Sequence, residues 1–580
     1  MAARPDPLAL AYRYCDEVLA EKQVAGELER RYVERFYHDL DHGAERGLYF
    51  DEDAARNVLE FFPNVLVLPD GRGTNAFRLE PFQCAFIAQL FGWKREADGL
   101  RRYRVAYFDI GRKNGKTALV AGIGHALLTI DGEYGAEVFS VATKKAQANV
   151  SHRAARSMAR RSEVLSQELI VFPRVEGPRN VDGVITYPPL GASWYVLGRD
   201  SKTEDGSAPH AGLVDEYHAH RDAELYSILE TGMGARSQPL MIVTTTAGFD
   251  VASPCFEMRA DVIQLLRNFD NPTGPHDDTT LGVIYTLDGY DRGSAHREPD
   301  DPHDPTVWRK SNPGLGTIKN PDQLSRLSDQ AKRINSKLPS YLVKECNVWT
   351  NAAQSWLPVG SWVQCPSDPI PWEQWRGRRC WAGLDLASRN DLCAFVLVSE
   401  RDAGGLDVYL RCWTNEHAVR NWQHAKASSA WQGWVRQGFL HANPGDTIDY
   451  GPVEAFVLEA AEHVQLERVL YDPWNAARTV QHLEDAGIEL QQVRQGFGSM
   501  NNPMKELEQL ILRQQINGGG NPVLDWALRN VQSKSDPAGN IKPDRSLSSG
   551  KIDPAVALIM AVAGWLEDSD DMSDRELLVI

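Results

Sequence analysis

Residues 105–120 read VAYFDIGRKNGKTALV, and this stretch decides the fold of the first half of the chain. An apolar run at 105–110 is followed by a turn rich in glycine and lysine, and then by an apolar helical run to residue 129. Backbone N–H groups in such a turn, and at the start of the next helix, can cradle phosphate oxygens. Lys116 would then reach the β- and γ-phosphates of a nucleotide, and the Thr117 hydroxyl would help to hold Mg²⁺.

The loop departs from the usual GxxxxGK[ST] pattern, because Ile110 stands where the first glycine is expected. Taken alone, it could also be a glycine-rich turn with a solvated lysine. The strand before it and the helix after it favour the phosphate-binding interpretation. We therefore predict an ATP site whose loop comprises Arg112, Lys113, Asn114, Gly115, Lys116 and Thr117.

A second apolar stretch, HAGLVDE at 210–216, ends in two acids. In a P-loop enzyme the first acid after such a strand, here Asp215, holds Mg²⁺. The adjacent Glu216 can activate water as a general base. A third strand, at 239–246, ends in hydroxyls that could sense a γ-phosphate, namely Thr244, Thr245 and Thr246. The alternatives are a solvated acid pair and an ordinary threonine-rich strand.

Apolar runs of strand length alternate with longer helical stretches through the first half of the chain. They lie at 105–110, 137–142, 193–197, 212–214 and 240–246. Strands that alternate with helices predict an α/β fold with a mostly parallel sheet. A second α/β pattern begins near residue 380, with apolar runs at 380–385, 392–399, 407–413 and 469–471 and an apolar helix at 553–565.

Three aspartates of this second half have suggestive settings. Asp385 lies within an apolar run, Asp472 follows a strand, and Asp553 opens a helix. A buried carboxylate is costly unless it is paired or binds a cation, and carboxylate oxygens suit Mg²⁺ or Mn²⁺. Converging acids can hold two metal ions that cut a phosphodiester. Asp391 is a candidate accessory ligand, and Lys551 could contact a phosphate. Each aspartate alone could equally be a turn residue or a helix cap.

The patterns predict five segments. Residues 1–60 form a helical N-terminal segment, and 61–356 form the P-loop ATPase domain with a helical subdomain. A linker at 357–375 leads to a nuclease domain at 376–566 and an acidic, flexible tail at 567–580.

Composition narrows the class of protein. The net charge of −17 speaks against a uniformly basic nucleic-acid binder, although a DNA groove needs only a local patch. Such a patch is a candidate at Arg153, Arg156, Arg160 and Arg161, after Lys144 and Lys145; a solvated helix face is the alternative. Residues 496–504 and 518–520 read as mobile loops that could admit DNA.

Eight scattered cysteines without a CxxC pair indicate a reducing compartment and no zinc site. We expect no signal peptide and no membrane span.

Several motifs together resemble those of phage terminase large subunits, most closely the HK97-like family, over nearly the whole chain. Arg112 to Thr117 is similar to their deviant Walker A motif, Leu213 to Glu216 to their Walker B motif, and Thr244 to Gly248 to their coupling motif. Gln83, in Pro81-Phe82-Gln83, matches the glutamine that reads adenine. Asp385, Asp472 and Asp553 match the acidic triad of the nuclease.

The resemblance implies an ASCE-type P-loop ATPase followed by an RNase H-like nuclease. It implies ATP and Mg²⁺ at the first site, and two Mg²⁺ or Mn²⁺ ions at the second. The implied partners are double-stranded DNA, a portal protein, a small terminase subunit and, in HK97-like systems, an HNH endonuclease. The implied assembly is a pentameric ring. The implied location is the host bacterial cytoplasm, transiently at the portal vertex of the prohead and not in the mature virion.

One departure concerns the arginine that completes a neighbour's ATP site. Many large terminases carry Arg-Gly ahead of Walker B, and the comparable place here is Asp205-Gly206. Arg199 and Arg236 are the candidates for this trans-acting arginine, and both could also be surface arginines. The acidic C-terminal tail is either a portal-docking peptide or disordered.

Two other functions share some of these features. An ATP-dependent helicase-nuclease of repair or defence would carry further helicase motifs, and none occurs between Gly248 and Trp356. A non-enzymatic assembly factor would have decayed sites, whereas Lys116, Asp215, Glu216 and the three aspartates are all present.

Overall fold

The structure is a computed structural model of the chain. It describes residues 6–577 except 70–75, 144, 174–182, 199–206, 252, 272–275, 297, 335–336, 351–355, 388–390, 403, 421–429, 475, 537 and 549; at 145–147 and 569–577 it describes the backbone alone. The chain forms two compact units. Unit 1 comprises residues 1–288 and 300–349, and unit 2 comprises 289–299 and 350–580. Within the described ranges, no helix is long and apolar enough to cross a membrane.

Unit 1 contains eleven helices among its described residues. They are α1 (Pro7–Leu19), α2 (Glu27–His42), α3 (Glu52–Val65), α4 (Pro81–Gly92), α5 (Lys116–Thr129), α6 (Lys145–Arg161), α7 (Leu165–Glu168), α8 (Glu224–Gly232), α9 (Pro254–Asn268), α10 (Pro321–Arg333) and α11 (Leu338–Lys344). Its strands are β1 (Leu48–Phe50), β2 (Trp93–Arg95), β3 (Val105–Asp109), β4 (Glu137–Ala142), β5 (Ile170–Phe172), β6 (Val184–Tyr187), β7 (Ala192–Gly198), β8 (Pro209–Asp215), β9 (Leu240–Thr245) and β10 (Thr280–Ile284).

Eight of these strands form one sheet in the order β10-β3-β9-β8-β4-β7-β6-β5. The neighbours from β10 to β7 run parallel, and β6 and β5 add an antiparallel edge. This confirms the predicted α/β fold with a mostly parallel sheet. Because parallel strands end at the same edge, the register pairs Asp109 with Thr245 and Asp215 with Thr244. The ends of β3, β8 and β9 therefore lie side by side.

The N-terminal helices belong to the same hydrophobic core as this sheet. Leu8 of α1, Leu28 of α2 and Phe62 of α3 are buried in one cluster with Val243 of β9. Local signals set their ends. Asp6 caps α1 by accepting from the Leu8 N–H at 3.1 Å, and the first turn of α1 begins with proline, which suits that position.

Unit 2 contains seven helices and nine strands among its described residues. The helices are α12 (Glu416–Arg420), α13 (Ala430–Gln437), α14 (Gly451–His463), α15 (Ala477–Asp485), α16 (Phe497–Leu512), α17 (Pro522–Asn530) and α18 (Asp553–Leu577). The strands are β11 (Arg379–Asp385), β12 (Cys393–Glu400), β13 (Leu406–Asn415), β14 (His441–Asn443), β15 (Gln465–Tyr471), β16 (Leu490–Gln492), β17 (Ile516–Asn517), β18 (Ser533–Ser535) and β19 (Ile541–Pro543).

The main sheet of unit 2 has the order β14-β13-β12-β11-β15-β16. Strands β11, β12 and β13 form an antiparallel meander, and β15 lies parallel to β11 on the other side. This is the predicted RNase H-like arrangement. Helix α18 lies directly on β11, because a Cβ atom added at Gly383 would be 1.9 Å from the carbonyl oxygen of Ala557. Glycine at this position lets the start of α18 approach the end of β11.

Three sequence-based predictions differ from the structure. Helix α18 continues to Leu577, so the tail predicted to be flexible from residue 567 is helical to that point. Glu567 and Asp568 help to hold it, since both form ion pairs with Arg468, at 3.3 and 2.5 Å. The stretch predicted to be a mobile loop at 496–504 is instead the start of α16, which contains Pro503.

The third difference concerns the joint between the units. We expected a linker at 357–375, whereas the division falls after Trp349, and residues 289–299 belong to unit 2. Within this unit, Arg292 forms an ion pair with Asp525 at 2.6 Å. The irregular composition of 268–340 also concealed β10, an edge strand of the first sheet.

A buried acid lies under the N-terminal helices. Glu29 of α2 is fully buried, and its carboxylate accepts a hydrogen bond from the Tyr14 hydroxyl. The Tyr14 hydroxyl also lies 3.4 Å from that of Tyr285. Burial raises the pKa of Glu29 to about 8, against the lowering effect of the Tyr14 hydrogen bond. Near neutral pH, the folded protein therefore keeps a proton on Glu29 that the unfolded chain has already lost.

This proton makes stability depend on pH. Because the folded-state pKa is raised, the contribution of Glu29 is complete in acid and is lost as pH rises from about 5 to 8, by at most about 1.4 kcal/mol per pH unit. Glu29→Gln removes this slope. We expect the unfolding free energy of the variant, minus that of the parent, to increase steadily when denaturant unfolding is measured from pH 5 to pH 8.

Glu60→Gln on α3 is the matched control, because Glu60 is exposed. Its difference from the parent should not change with pH. A flat difference for Glu29→Gln as well would show that Glu29 is already ionised in the folded protein.

Candidate active sites

The glycine- and lysine-rich loop has the backbone of an anion cradle. Gly115 has φ +85° and Lys113 has φ +66°, and α5 begins directly after Gly115. Lys116 is the first residue of α5, and its side chain is 7% exposed. Among the described residues, its ammonium has no hydrogen-bond partner, and its nearest acid is Glu216, with Nζ 3.8 Å from Oε1. A buried ammonium without hydrogen bonds is costly, so this position fits an anionic ligand such as a phosphate.

The two acids after β8 have different surroundings. Asp215 is held by hydroxyls: Oδ1 accepts from Thr244 at 3.0 Å and Oδ2 accepts from Ser151 at 2.5 Å. Glu216 has φ +52°, a conformation that costs free energy for a residue other than glycine. Its carboxylate reaches towards Lys116 on one side and lies 3.3 Å from Nδ1 of His218 on the other.

His218 joins Glu216 to the end of β9, and no motif in the sequence singles it out. Its backbone N–H donates to the Thr245 hydroxyl at 3.0 Å, and its Nδ1 lies 3.4 Å from the Thr246 hydroxyl. Burial, together with the nearby charges of Lys116 and Arg112, lowers the pKa of His218 to about 4. The imidazole is therefore neutral near pH 7, and it connects Glu216 to Thr245 and Thr246.

A second loop, which contains Asn312 and Lys319, holds the glycine- and lysine-rich loop in place. The sequence patterns did not predict it. Asn114 Nδ2 donates to the Gly111 carbonyl and to Asn312 Oδ1, both at 2.9 Å. Asn312 Oδ1 also accepts from Lys319 Nζ at 2.6 Å, and this ammonium forms an ion pair with Glu345 at 2.7 Å. All these side chains come from positions distant in sequence, so no local pattern could reveal them.

Asn347 ties together three strand ends. It donates to Asp109 Oδ1 at the end of β3 and to the Tyr285 carbonyl after β10, both at 2.8 Å. Its Oδ1 accepts from the Ala247 N–H, beyond β9, at 2.7 Å. Asp109 is fully buried, and its other oxygen accepts from Arg259 at 3.0 Å. The strands that carry the loop and the threonines are thus bound to each other.

The remaining predicted nucleotide-site residues lie around the loop. Gln83 is buried in the first turn of α4, and a Cβ atom added at Gly115 would lie 3.0 Å from its Nε2, so its amide faces the loop. Thr117 is partly exposed in the first turn of α5, and Arg112 and Lys113 are exposed. The structure therefore brings Gln83 and the loop to one edge of the sheet with Asp215, Glu216 and the threonines.

The structure describes only one of the two candidate trans-acting arginines. Arg199 lies outside the described residues, as does Asp205-Gly206. Arg236 is 13% exposed, and its guanidinium donates to the backbone carbonyls of Ala208 at 2.7 Å, Tyr134 at 3.1 Å and Gly135 at 2.6 Å. Arg236 thus supports the fold of its own unit.

The predicted basic face on α6 does not form as expected. Arg156 is fully buried, and its guanidinium donates to Asn149 Oδ1 at 3.1 Å. Arg160 donates to the Pro173 carbonyl, and Arg161 donates to the backbone carbonyls of residues 68 and 69. Lys144 and the side chain of Lys145 lie outside the described residues. Residues spaced three and four apart lie on one face of a helix, and at Arg156 this face is turned towards the protein interior. The prediction of a DNA-tracking face is therefore wrong for Arg156.

Unit 2 gathers its acids where β11 ends and α18 begins. Asp385, the last residue of β11, and Asp553, the first residue of α18, are each 2% exposed. Asp391 precedes β12 and forms an ion pair with Lys551 at 2.8 Å. Asp472 follows β15 and accepts from the Trp474 N–H at 2.8 Å.

The charges of these acids act on one another. Burial raises the pKa of Asp385 to about 7; Arg545 opposes this rise, and the charges of Asp472 and Asp391 add to it. Burial also raises the pKa of Asp553, and Asp391 and Asp385 contribute to this increase. A cluster of buried carboxylates with too few cations fits hard divalent ions. Among the described residues, however, no three His, Cys, Asp or Glu side chains are grouped closely enough to hold a metal ion.

Arg545 contacts two of these acids, and the sequence analysis did not identify it. Its Nη2 lies 2.5 Å from Asp385 Oδ2, and its Nη1 lies 3.0 Å from Asp553 Oδ1. These ion pairs raise the pKa of the guanidinium, whose side chain is 46% exposed. A single arginine in the turn after β19 has no distinguishing pattern in the sequence, since only the packing of that turn brings it to the acids.

Comparisons with known proteins find two family domains in the chain. The family model for the terminase large subunit, ATPase domain, matches residues 81–262, and that for the endonuclease domain matches 294–569. Protein YmfN of Escherichia coli (strain K12) is 32% identical over 442 residues, which are 72% of this chain and 92% of YmfN.

The terminase large subunit of Enterobacteria phage HK97 is 28% identical over 512 residues, which are 87% of this chain and 94% of that subunit. The crystal structure of the HK97 bacteriophage large terminase covers 88% of this chain and 99% of its own, with 26% sequence identity and a TM-score of 0.44. The chain therefore belongs to the terminase large subunit family, in its HK97-like group, and is a phage DNA-packaging motor protein with an ATPase domain and a nuclease domain.

Proposed function

We propose that ATP hydrolysis in unit 1 drives double-stranded DNA into a prohead and that the acid cluster of unit 2 cuts concatemeric DNA with two metal ions. The observation that carries the first half is the buried Lys116 ammonium, which has no hydrogen-bond partner among the described residues and lies 3.8 Å from Glu216. An unpartnered cation beside a glutamate, at the start of a helix, suits a γ-phosphate and an attacking water.

In the ATPase site, Lys116 binds the β- and γ-phosphates, and the loop from Arg112 to Thr117 surrounds them. Thr117 and Asp215 hold Mg²⁺, which neutralises phosphate charge when it is bound. Glu216 acts as the general base towards water. The Gln83 amide, which faces Gly115, contacts the adenine.

The coupling of ATP hydrolysis to DNA movement begins at Thr244, Thr245 and Thr246. Thr244 donates to Asp215, and Thr245 and Thr246 contact His218, which lies 3.3 Å from Glu216. A change in the position of either acid on hydrolysis is therefore passed to the end of β9. This contact chain supports Thr244, Thr245 and Thr246 as the coupling residues.

In the nuclease site, Asp385, Asp472 and Asp553 hold two Mg²⁺ or Mn²⁺ ions, with Asp391 as an accessory ligand. The ions supply an activated water and stabilise the leaving oxygen of the phosphodiester. The raised pKa values of Asp385 and Asp553 support this assignment, because a divalent ion compensates charges that burial, and then the neighbouring acids, disfavour. Lys551, which pairs with Asp391 at 2.8 Å, would contact a DNA phosphate.

We further propose the assembly that the family implies. It is a pentameric ring on the portal protein, guided by a small terminase subunit and, in HK97-like systems, by an HNH endonuclease. The protein would act in the host bacterial cytoplasm, stay only transiently at the portal vertex, and be absent from the mature virion. Arg236 could serve as the trans-acting arginine only by releasing three backbone carbonyls, and Arg199 is the other candidate.

Two substitutions should separate the two activities. Lys116→Ala removes the cation that binds phosphate, so we expect ATP turnover to fall roughly 100-fold or more while plasmid cleavage with Mn²⁺ remains. Asp385→Asn removes one metal-binding charge, so cleavage should fall by a similar factor while ATP turnover remains. Both activities would be measured on the same preparations of the full chain.

Exposed residues supply the controls. Lys332→Ala on α10 and Asp402→Ala between β12 and β13 should leave both activities at the parent level, since both residues are exposed. Cleavage by Asp385→Asn at the parent rate would mean that the metal site is elsewhere. ATP turnover by Lys116→Ala at the parent rate would refute the phosphate-binding role.

The supporting loop should affect nucleotide affinity. Asn312→Ala removes one hydrogen-bond acceptor from Lys319 and one from Asn114, at about 1–3 kcal/mol for each lost partner. We expect the KM for ATP to rise roughly 10-fold or more, with a smaller change in kcat, because the loop is less rigid before ATP binds.

Asn320→Ala is the matched control for this effect. Asn320 caps α10 by accepting from the Asp322 N–H at 2.8 Å, so its loss should cost about 1 kcal/mol of stability and leave the KM unchanged. Equal KM values for Asn312→Ala and the parent would show that Asn312 does not organise the loop.

A further inference from the structure

The guanidinium of Arg545 lies between the two most buried acids of the nuclease site. It is 2.5 Å from Asp385 Oδ2 and 3.0 Å from Asp553 Oδ1. These acids come from different elements, the end of β11 and the start of α18, so one side chain joins the two. A planar guanidinium can hold two carboxylates at fixed positions, which a lysine ammonium does less well.

The oxygens that Arg545 contacts belong to acids proposed as metal ligands. A divalent ion and a guanidinium both need these lone pairs, and two cations at one place repel each other. Without a metal, the arginine compensates carboxylates that would otherwise be buried as uncompensated charges. The presence of Arg545 between the acids is consistent with the finding that, among the described residues, no three His, Cys, Asp or Glu side chains are grouped to hold a metal ion.

Of the three groups, Arg545 is the one that can leave. Its side chain is 46% exposed, whereas those of Asp385 and Asp553 are 3% exposed. It follows β19, one of two short strands of a hairpin, and sits in a turn where Asp544 accepts from the Ser546 N–H at 2.8 Å. Rotation of a half-exposed side chain towards solvent leaves the core of unit 2 intact, whereas β11 and α18 are held by the main sheet.

We propose that Arg545 is a resident counter-cation, which holds the metal-free acids together and must be displaced before a divalent ion can bind. The nuclease is then kept in a stable, inactive form until metal enters. This inference rests on the proposed metal site at Asp385 and Asp553, and it adds a residue that competes with the metal.

The test is Mn²⁺ binding to the full chain, measured by calorimetry without nucleotide, together with thermal unfolding in EDTA. Arg545→Gln should bind Mn²⁺ roughly 10-fold more tightly than the parent and should unfold at a lower temperature in EDTA. Added Mn²⁺ should raise its unfolding temperature more than that of the parent. Arg545→Lys, which keeps the charge without the planar fork, should fall between the two.

Lys542→Gln is the matched control for a simple loss of charge. Lys542 lies in β19 of the same hairpin, and its Nζ is 5.3 Å from the centroid of the Phe497 ring. Its Mn²⁺ affinity should stay within about 2-fold of the parent, since exposed charges are screened. Equal tightening in Lys542→Gln and Arg545→Gln would overturn the proposal, because the effect would then be long-range.

Asp385→Asn in the same titration separates the two levels of inference. If Asp385→Asn binds Mn²⁺ like the parent, the metal site itself is misplaced and the proposed nuclease function fails. If Asp385→Asn loses binding while Arg545→Gln binds as the parent does or more weakly, the metal site stands and the competing role of Arg545 is wrong.

Discussion

A carboxylate buried at the end of a strand must have a cation or several hydrogen bonds beside it, and much of this structure depends on that constraint. Asp109 at the end of β3 has Arg259 and Asn347. Asp385 at the end of β11 has Arg545. In each unit the compensating side chain comes from a distant part of the chain. The partners that keep these acids in place therefore also fix the helices and turns around the two sites.

The ATPase site shows how such compensation becomes a network. Asn347 binds the strand that carries the phosphate loop and the backbone that follows the threonines, and it lies two residues before the end of unit 1. Trp349, the last residue of that unit, packs on Gly248, where an added Cβ would lie 2.8 Å from its ring. The segment that follows β9 is thus in contact with the last residue of unit 1.

Sequence periodicity predicted most strands of both sheets, because strands buried by helices on their faces read as apolar runs with polar ends. It failed where local composition and tertiary packing disagree. The edge strand β10 lies in a stretch rich in Pro, Asp and Gly. The acidic C-terminal stretch continues helix α18, and Arg468 pairs with Glu567 and Asp568 there. Arg156 has the spacing of a surface stripe, yet it is fully buried against Asn149.

The sequence by itself determined the two α/β patterns, the phosphate loop, and the acids at the ends of β8, β11 and β15. These features are local: a strand, a turn and a helix start are each encoded within a few neighbouring residues. Only the tertiary structure decided which side chains meet these groups, namely His218 at Glu216, Asn312 at Asn114, and Arg545 between Asp385 and Asp553. Such contacts join residues far apart along the chain, and the requirement to pair buried charge selects them only once the sheets and helices have packed.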